Sequence, residues 1–193
     1  MKKYLFWVLR FLIFLIAFLL ALWMFMPWRE VGSSLMSFGH GILSRNGMRM
    51  NYSDVTGESD GFNINNLSLE GMMNISFNAV KIRPKIIESV LSFGGVCDIE
   101  FTGCNILLGQ KFNIGDGRLL LTAWPKEIFL GDLNTTGDIK LNGYLSINLN
   151  NMKIGRADAS LTVPESIANG FNVLKNFLPL EQDKNGQWYL RRR

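Results

Sequence analysis

The side chains that could do acid–base or metal chemistry are few in this 193-residue sequence, and they are scattered. His40 is the only histidine, and no second histidine or group of carboxylates lies near it. A metal site needs several such ligands, and a catalytic triad needs a base oriented by a carboxylate. The sequence therefore predicts that His40 is a polar residue on the exposed face of a helix.

Asp98 and Glu100 form the one carboxylate pair whose spacing suggests catalysis. In a strand they point to the same face, about 7 Å apart, as paired catalytic carboxylates can. Alternating strands produce such pairs routinely, so we interpret them as part of a solvated face. The triplet at 115–117, Gly-Asp-Gly, indicates a turn, because no Gly-Lys-Ser/Thr sequence follows it. The sequence thus predicts no enzyme, no cofactor and no metal.

Cys97 and Cys104 are the only cysteines. If both lie in one extended strand, seven residues separate them by roughly 23 Å, far beyond the roughly 7 Å limit for a disulfide. A hairpin between them would permit a bond. Of these two alternatives, we favour two free, buried cysteines.

The charge distribution gives little support to nucleic-acid binding. The net charge is +4, but Lys2, Lys3 and Arg10 precede the rest of the chain, which carries 17 basic against 16 acidic residues. No basic stripe with interleaved aromatic residues is visible. We therefore expect no nucleic-acid partner.

The stretch Tyr4–Pro27 predicts a single transmembrane helix. It holds one charged residue, Arg10, and its 24 residues span roughly 36 Å, enough for a hydrocarbon core of about 30 Å. A cleaved signal peptide fits less well, because the apolar run exceeds an h-region of roughly 7–15 residues and no Ala-x-Ala-like site follows. A buried soluble helix is the third alternative. The predicted anchor residues are Tyr4, Trp7, Arg10, Trp23, Pro27 and Trp28.

Three segments follow from this anchor. Residues 1–27 form the cytoplasmic tip and the span, 28–46 an amphipathic juxtamembrane helix, and 47–193 one β domain. The positive residues at the N-terminus keep that end in the cytoplasm and send the rest across the membrane. The second segment has one apolar helical face, which contains Val31, Leu35, Phe38 and Ile42. This face would lie on the bilayer or close the end of a sheet.

From Gly47 onward the apolar residues recur with a period of two, typical of an antiparallel sheet that is covered on one side. Eight to ten strands with a few short helices are expected, in a curled trough or open barrel. Glycines inside strands favour bulges that curl the sheet, as does a slip in alternation at Asn65-Asn66. These glycines are at 103, 109, 115, 117, 131, 137 and 143.

The clearest strand is Ile139–Leu149, and two helices are predicted at Pro84–Phe93 and Pro164–Leu178. The first begins with proline and ends at Gly94-Gly95. Asn185-Gly186 predicts a hairpin turn before a last strand at Gln187–Leu190. The apolar face of the sheet is either a core filled by the two helices or an open groove. Its candidate residues are Ile99, Phe101, Ile139, Leu141, Leu145, Ile147 and Leu149.

Four stretches carry a family resemblance: FMPW at the end of the span, GMRMNYSDVTG, KIRPKIIESVLSF and GDIKLNGYLSINL. Their order resembles the type II secretion system protein N (GspN) family in a shorter, divergent form, and more broadly the AsmA-like proteins with a membrane-anchored β-trough. The resemblance covers nearly the whole chain. It implies a bacterial inner-membrane protein with a periplasmic β domain, in contact with membrane lipid and with other secretion subunits, and no catalytic role.

Two functions remain open at this point. The first is a non-enzymatic component that helps to assemble a type II secretion system and docks other subunits at a strand edge. The second is an AsmA-like or LptC-like module that binds or conducts lipid along the apolar face. What covers that face distinguishes the two.

Overall fold

The computed structural model describes residues 2–45, 47–71, 74–108, 110–149, 153–164, 180–183 and 187–192. Within these ranges the chain is mainly β, as predicted. The predicted helix at Pro164–Leu178 and the turn at Asn185-Gly186 lie outside the described residues.

Three helices are present in the described part. Helix α1 spans Lys2–Met24 and helix α2 spans Trp28–Arg45, which confirms the predicted second helix. Helix α2 stops at Gly47, which takes a left-handed φ of 73°. The N–H groups of Gly47 and Met48 donate to the carbonyls of Ser44 and Leu43, at 3.1 and 3.0 Å, and so satisfy the last turn.

Helix α3 spans Ile86–Ser92 and is shorter than predicted. Proline does not occupy its first turn, so that part of the prediction is wrong: Pro84 is the last residue of a strand, and Lys85 is the N-cap. The cause is the sheet, because Pro84 is paired with Cys97 on the neighbouring strand. Its fixed φ suits the end of a strand as well as the start of a helix.

Eleven strands are assigned within the described ranges. They are β1 (Arg49–Asn51), β2 (Asp54–Gly57), β3 (Phe62–Glu70), β4 (Asn74–Pro84), β5 (Gly95–Leu108), β6 (Gln110–Trp124), β7 (Glu127–Thr135), β8 (Lys140–Asn148), β9 (Lys153–Thr162), β10 (Leu180–Gln182) and β11 (Trp188–Arg192). The last strand confirms the one predicted at Gln187–Leu190. The clearest predicted strand is β8, one residue shorter at each end.

All pairings are antiparallel and form one open sheet, in the order β1-β3-β4-β5-β6-β7-β8-β9-β11-β10. Strands β1 and β2 both pair with β3, one after the other along its length. They therefore act as a single edge strand interrupted at 52–53. Helix α2 packs against this edge, in contact with β1, β2 and β3.

The two ends of the sheet differ in what lies beside them. Gly57, at the end of β2, lies against the start of α2: a Cβ built on it would lie 2.9 Å from the backbone nitrogen of Arg29. Because α1 ends only a few residues earlier, this end is nearest to the apolar helix. We call it the proximal end. It also holds α3 and the β6–β7 turn, while the β7–β8 connection lies at the opposite, distal end.

A row of left-handed residues crosses the strands and bends them. One such residue lies in each of β3, β5, β6, β7 and β8: Asn66 (φ 51°), Gly103 (φ 61°), Gly115 (φ 72°), Asp132 (φ 50°) and Gly143 (φ 139°). Register shifts accompany them between β5 and β6 and between β7 and β8. The prediction that strand glycines mark bulges is confirmed at 103 and 115, whereas opposite Gly143 the extra residue lies on β7. The slip at 65–66 is a kink within β3.

The hydrophobic core extends over one face of the sheet, which we call the apolar face. Helix α2 contributes Trp28, Gly32 and Met36 to it, at one edge. The buried side chains of the strands and turns include Val55, Phe62, Ile64, Val80, Phe101, Phe112, Ile114, Ile139, Leu161, Trp188 and Leu190.

Candidate functional site

Helix α1 carries the one segment, among the described residues, that is long and apolar enough to cross a membrane, Phe6–Met24. Its apolar side chains point outward on all sides, and none of those described is buried. Tyr4 and Trp7 are exposed near its start. The Arg10 guanidinium lies 4.2 Å from the centre of the Phe6 ring, so it reaches back toward the N-terminal end, as a snorkelling arginine would.

The junction between α1 and α2 is aromatic. Trp23 and Trp28 meet edge to face with their ring centres 4.5 Å apart. Trp23 is half-buried and Pro27 is exposed, whereas Trp28 is only 5% exposed and belongs to the core. Of the six predicted anchor residues, Trp28 therefore joins the helix to the sheet rather than lying on the outer surface.

A wide groove of about 990 Å³ opens beside this junction. One wall is the last part of α1 and the residues just after it, including Leu22, Trp23 and Met26. The other wall is the start of α3, with Ile86 and Ile87. Its lining is almost wholly apolar, and it brings α3 next to the C-terminal end of the apolar helix.

Helix α3 is attached to the sheet by its polar side. Oγ of Ser89 donates to the carbonyl of Lys85 at 2.7 Å and accepts the N–H of Val96 at 2.8 Å. The indole N–H of Trp124 donates to the carbonyl of Ser92 at 3.2 Å. None of the residues of α3 is buried.

The apolar side chains of α3 are directed outward instead. Ile87 is 77% exposed and Leu91 is 75% exposed, and Phe93, just beyond the helix, is 92% exposed. The expectation that this helix fills the apolar face of the sheet is therefore wrong. The serines satisfy strand and helix backbone groups at the contact, so the apolar stripe is left on the other side.

Burial along the apolar face changes from one end to the other. Towards the distal end, Phe101, Ile139 and Leu161 are buried. On β5 to β9, the residues of the same face that lie towards the proximal end are only half-buried: Ile99, Leu119, Leu121, Ile128, Leu130, Leu145, Ile147 and Ile154. On β2 and β3, beside α2, Val55 and Phe62 are buried at that end. From β5 to β9 the face is thus mainly closed towards the distal end and partly open towards the proximal end.

The predicted groove residues include both buried and half-buried positions. Phe101 and Ile139 are in the buried part, although Ile139 lies in the turn before β8. Ile99, Leu141, Leu145 and Ile147 are half-buried. Leu149 is exposed in the turn after β8, where its N–H donates to the carbonyl of Lys126 at 2.9 Å. It does not lie on β8 with the others.

The carboxylates that suggested catalysis belong to an ion-pair cluster. Nη1 of Arg83 donates to Oε1 of Glu100 at 2.8 Å, and this hydrogen bond raises the pKa of Arg83. Nε of Arg83 also lies 3.1 Å from Oδ2 of Asp60, an ion-pair contact without the alignment of a hydrogen bond. Glu100 is thus paired with a cation rather than with Asp98.

The remaining polar candidates are isolated. His40 is exposed on α2. Cys97 and Cys104 are free thiols on the same strand; Cys104 is buried, as predicted, but Cys97 is only half-buried. Burial raises the pKa of both, and that of Cys104 to about 11. In the described part of the chain, no three His, Cys, Asp or Glu side chains are grouped as metal ligands.

The outward stripe of α3 is the feature that sequence reasoning missed. The segment KIIESVLSF does carry the necessary pattern, because Ile86, Ile87, Val90 and Leu91 recur at helical spacing. Periodicity identifies such a stripe but not the direction in which it points. The serines at 89 and 92, opposite the stripe, were the available indication.

Comparison with known proteins assigns the chain to a family. A family model described as "Type II secretion system protein GspN-like, Synergistales" matches residues 6–192. Searches of curated proteins and of solved structures gave no match. The match includes the apolar helix and the whole sheet, and the family implies association with type II secretion and with other subunits of that system. The protein belongs to the GspN-like family of type II secretion system proteins.

Proposed function

We propose that this protein is a non-enzymatic component of a type II secretion system, anchored in the inner membrane by α1, with its sheet in the periplasm. The family match supports the assignment to a type II secretion system. The observation that carries the scaffold role is the direct passage from α1 into α2, which packs on the first edge of the sheet. This arrangement holds a broad sheet close to the membrane, where the other subunits of such a machine would meet it.

The proposed division of the chain is a cytoplasmic tip and span at 1–27, a juxtamembrane helix at 28–46 and a periplasmic β domain at 47–193. Lys2 and Lys3 support a cytoplasmic N-terminus through the positive-inside rule. Alkaline phosphatase fused after residue 193 should be active, because the enzyme folds only outside the cytoplasm. If the fusion is stable and full-length but inactive, the orientation is the opposite of the one proposed.

The scaffold role is tested in cells that use the secretion system. Deleting the gene should leave secretion substrates in the periplasm, and the full chain should restore their export. A photo-crosslinking residue at Glu181, exposed on the other edge strand β10, should capture another secretion subunit, since edge strands can accept a partner strand and α2 covers the edge at β1 and β2. Asn134, exposed within the middle strand β7, is the matched control. Normal secretion after deletion would refute the role.

A second function, binding of lipid along the apolar face as in AsmA-like or LptC-like modules, has a specific observation in its favour. On β5 to β9, that face is half-buried towards the proximal end, the end of the sheet nearest to the apolar helix α1. An acyl chain leaving a bilayer would meet this part first. The buried distal part would then limit how far the chain could enter.

Photoreactive phospholipid tests this second function. The full chain in vesicles that contain a lipid with an acyl-chain diazirine should be crosslinked both in α1 and in β8. Ile147→Asp should remove the β8 crosslink and keep the α1 crosslink, while Asn142→Asp, on the exposed face of the same strand, should keep both. Crosslinks confined to α1 in the wild-type protein would refute lipid binding by the sheet.

A further inference from the structure

Helix α3 has the opposite orientation to that of an ordinary surface helix. Helices on a globular domain turn their apolar stripe to the core and their polar face to water. Here the side that faces the sheet is hydrogen-bonded to it through the hydroxyl of Ser89 and the backbone carbonyl of Ser92. The apolar side carries Ile87, Val90 and Leu91 into the open. The apolar stripe therefore requires a different environment from water.

Phe93 adds to this exposed apolar surface at a measurable conformational cost. It forms the C-cap of α3 with a left-handed φ of 51°, a conformation that costs a bulky residue roughly 1 kcal/mol or more. Its ring is nevertheless 92% exposed. Neither packing nor backbone geometry accounts for an aromatic residue at this position, where glycine would suit better.

The position of α3 identifies the environment. Ile86 and Ile87 line the same groove as Leu22 and Met26, at the C-terminal end of the apolar helix α1. If α1 crosses the membrane, this end lies at the boundary between acyl chains and headgroups. The apolar surface of the span thus continues onto α3. A helix of 7 residues is about 10 Å long and needs to enter only the outer part of one leaflet.

The charges near α3 also fit a lipid headgroup region. Lys85 caps the helix start, and its Nζ lies 3.1 Å from Oε1 of Glu88, so the pair is close to neutral. Lysine at the edge of an apolar helix can keep its ammonium at the headgroups while its stem lies along the acyl chains. Among the described residues of α3 and its cap, the outward apolar surface carries no charge other than this pair.

We propose that α3 and Phe93 form a second membrane contact, inserted into the leaflet that the C-terminal end of α1 reaches. This inference rests on the proposed membrane anchorage by α1. Two contacts fix the tilt of the sheet relative to the bilayer, whereas a single helix leaves the domain free to rotate about the span. The proximal, half-buried part of the apolar face is then held at the membrane surface.

Depth-dependent fluorescence quenching of the full chain tests the proposal. An environment-sensitive label is placed on Leu91→Cys or Ile87→Cys, in a Cys97→Ala, Cys104→Ala background, and the protein is reconstituted into vesicles with lipids brominated near the middle of the acyl chain. The matched labels are at Phe18→Cys in the span and at Asp138→Cys, which is exposed at the distal end. Circular dichroism checks that each variant keeps its strand content.

The expected result is blue-shifted emission at both α3 positions, with bromolipid quenching several-fold greater than at Asp138. Quenching at Leu91 and Ile87 equal to that at Asp138 overturns the proposal. If Phe18 is still quenched in that case, only the second contact fails; if Phe18 is not quenched, the anchorage fails too. A blue shift without quenching also overturns it, because a second copy or a protein partner would then cover α3.

Discussion

Gly32 sets the distance between helix α2 and the sheet. A Cβ built on it would lie 2.7 Å from a ring carbon of Phe62 and 2.8 Å from a methyl of Val55. Neither neighbour has room to move, since Phe62 is 1% exposed and Val55 is buried. Glycine lowers intrinsic helix stability, and here that loss is offset by close packing of the helix.

Gly32→Ala should therefore destabilise the protein, by about 1–3 kcal/mol, because the added methyl group overpacks the core. Gly41→Ala is the matched change in the same helix, where nothing lies within 4 Å of the added atom. That variant should instead gain up to about 1 kcal/mol from helix propensity. Urea unfolding of the full chain in detergent micelles measures both. Equal changes in the free energy of unfolding for the two variants would contradict close packing of Gly32 against the sheet.

Cys104 predicts a dependence of stability on pH. Its thiol pKa is raised from 9.0 to about 11 by burial, so the folded chain keeps the proton at a pH at which the unfolded chain has lost it. Well below pH 9 the thiol is protonated in both states, so its contribution to the free energy of unfolding does not change with pH. The free energy of unfolding falls as the pH rises from about 9 to 11. In Cys104→Ala this loss should be smaller by roughly 2–3 kcal/mol.

Unfolding midpoints at neutral and alkaline pH, for both proteins, measure the effect. Only the difference between the two pH profiles is informative, because lysines and tyrosines titrate in the same range. Parallel profiles would mean that the thiol of Cys104 reaches solvent in the folded protein.

At the scale of elements, the curl of the sheet comes from the row of left-handed residues. Gly103 and Gly115 lie where the pairing of β5 with β6 shifts its register. The N–H of Gly103 donates to Oδ1 of Asp116 at 2.8 Å, so a side chain replaces the strand partner that the bulge removes. A bulge bends its strand and increases the twist, which is how a broad sheet can bring its apolar face inward.

Gly103→Ala should cost about 1–2 kcal/mol, since an L residue is strained at its φ of 61°. Gly95→Ala is the control on the same strand, because nothing lies within 4 Å of the added atom and its φ is not left-handed. We expect the control to change stability by less than about 0.5 kcal/mol. Thermal unfolding of the two variants compares them. A stable Gly103→Ala protein would show that the bulge is not required.

At the scale of the whole molecule, α2 unites the span with the sheet. Its buried residues, Trp28 and Met36, cover the edge formed by β1 and β2. Of the described residues before Pro27, by contrast, Trp23 alone packs against the core, and it is only half-buried. Removing the chain before α2 would therefore disrupt little packing, whereas removing α2 as well would expose the core.

A chain that begins at Trp28 should accordingly fold, with the strand content of the full protein. A chain that begins at Gly47 loses Trp28 and Met36 from the core, a loss on the order of 5 kcal/mol against a total stability of about 5–15 kcal/mol. We expect it to be largely unfolded or aggregated. Circular dichroism and urea unfolding compare the two fragments. Equal stability would mean that α2 adds nothing to the sheet.

Local patterns were sufficient to predict much of this architecture. One charged residue, Arg10, in a long apolar run indicates a span, and alternation with a period of two indicates strands. The family also follows from the order of such parts, and the match over residues 6–192 confirms it. These properties belong to short stretches of chain, so they can be read without knowing which stretches meet.

The directions of the helices were decided only by tertiary packing. Helix α2 buries Trp28, Gly32 and Met36, while Leu35 and Phe38 of its predicted apolar face are exposed. Its glycine permits an approach to Phe62 that a larger residue would prevent. Helix α3 turns Ser89 inward, where its hydroxyl accepts the N–H of Val96 in β5, and the backbone carbonyl of Ser92 accepts the indole N–H of Trp124.

What the sequence by itself determined is therefore most of the described elements and the long apolar character of the first one. The tertiary structure decided which faces are covered, because burial depends on residues that are distant in sequence and on the hydrogen bonds they leave to be satisfied. The gradient from the buried Ile139 to the half-buried Ile147, on a single strand and its turn, is such a property. Alternation alone assigns both residues equally to one apolar face.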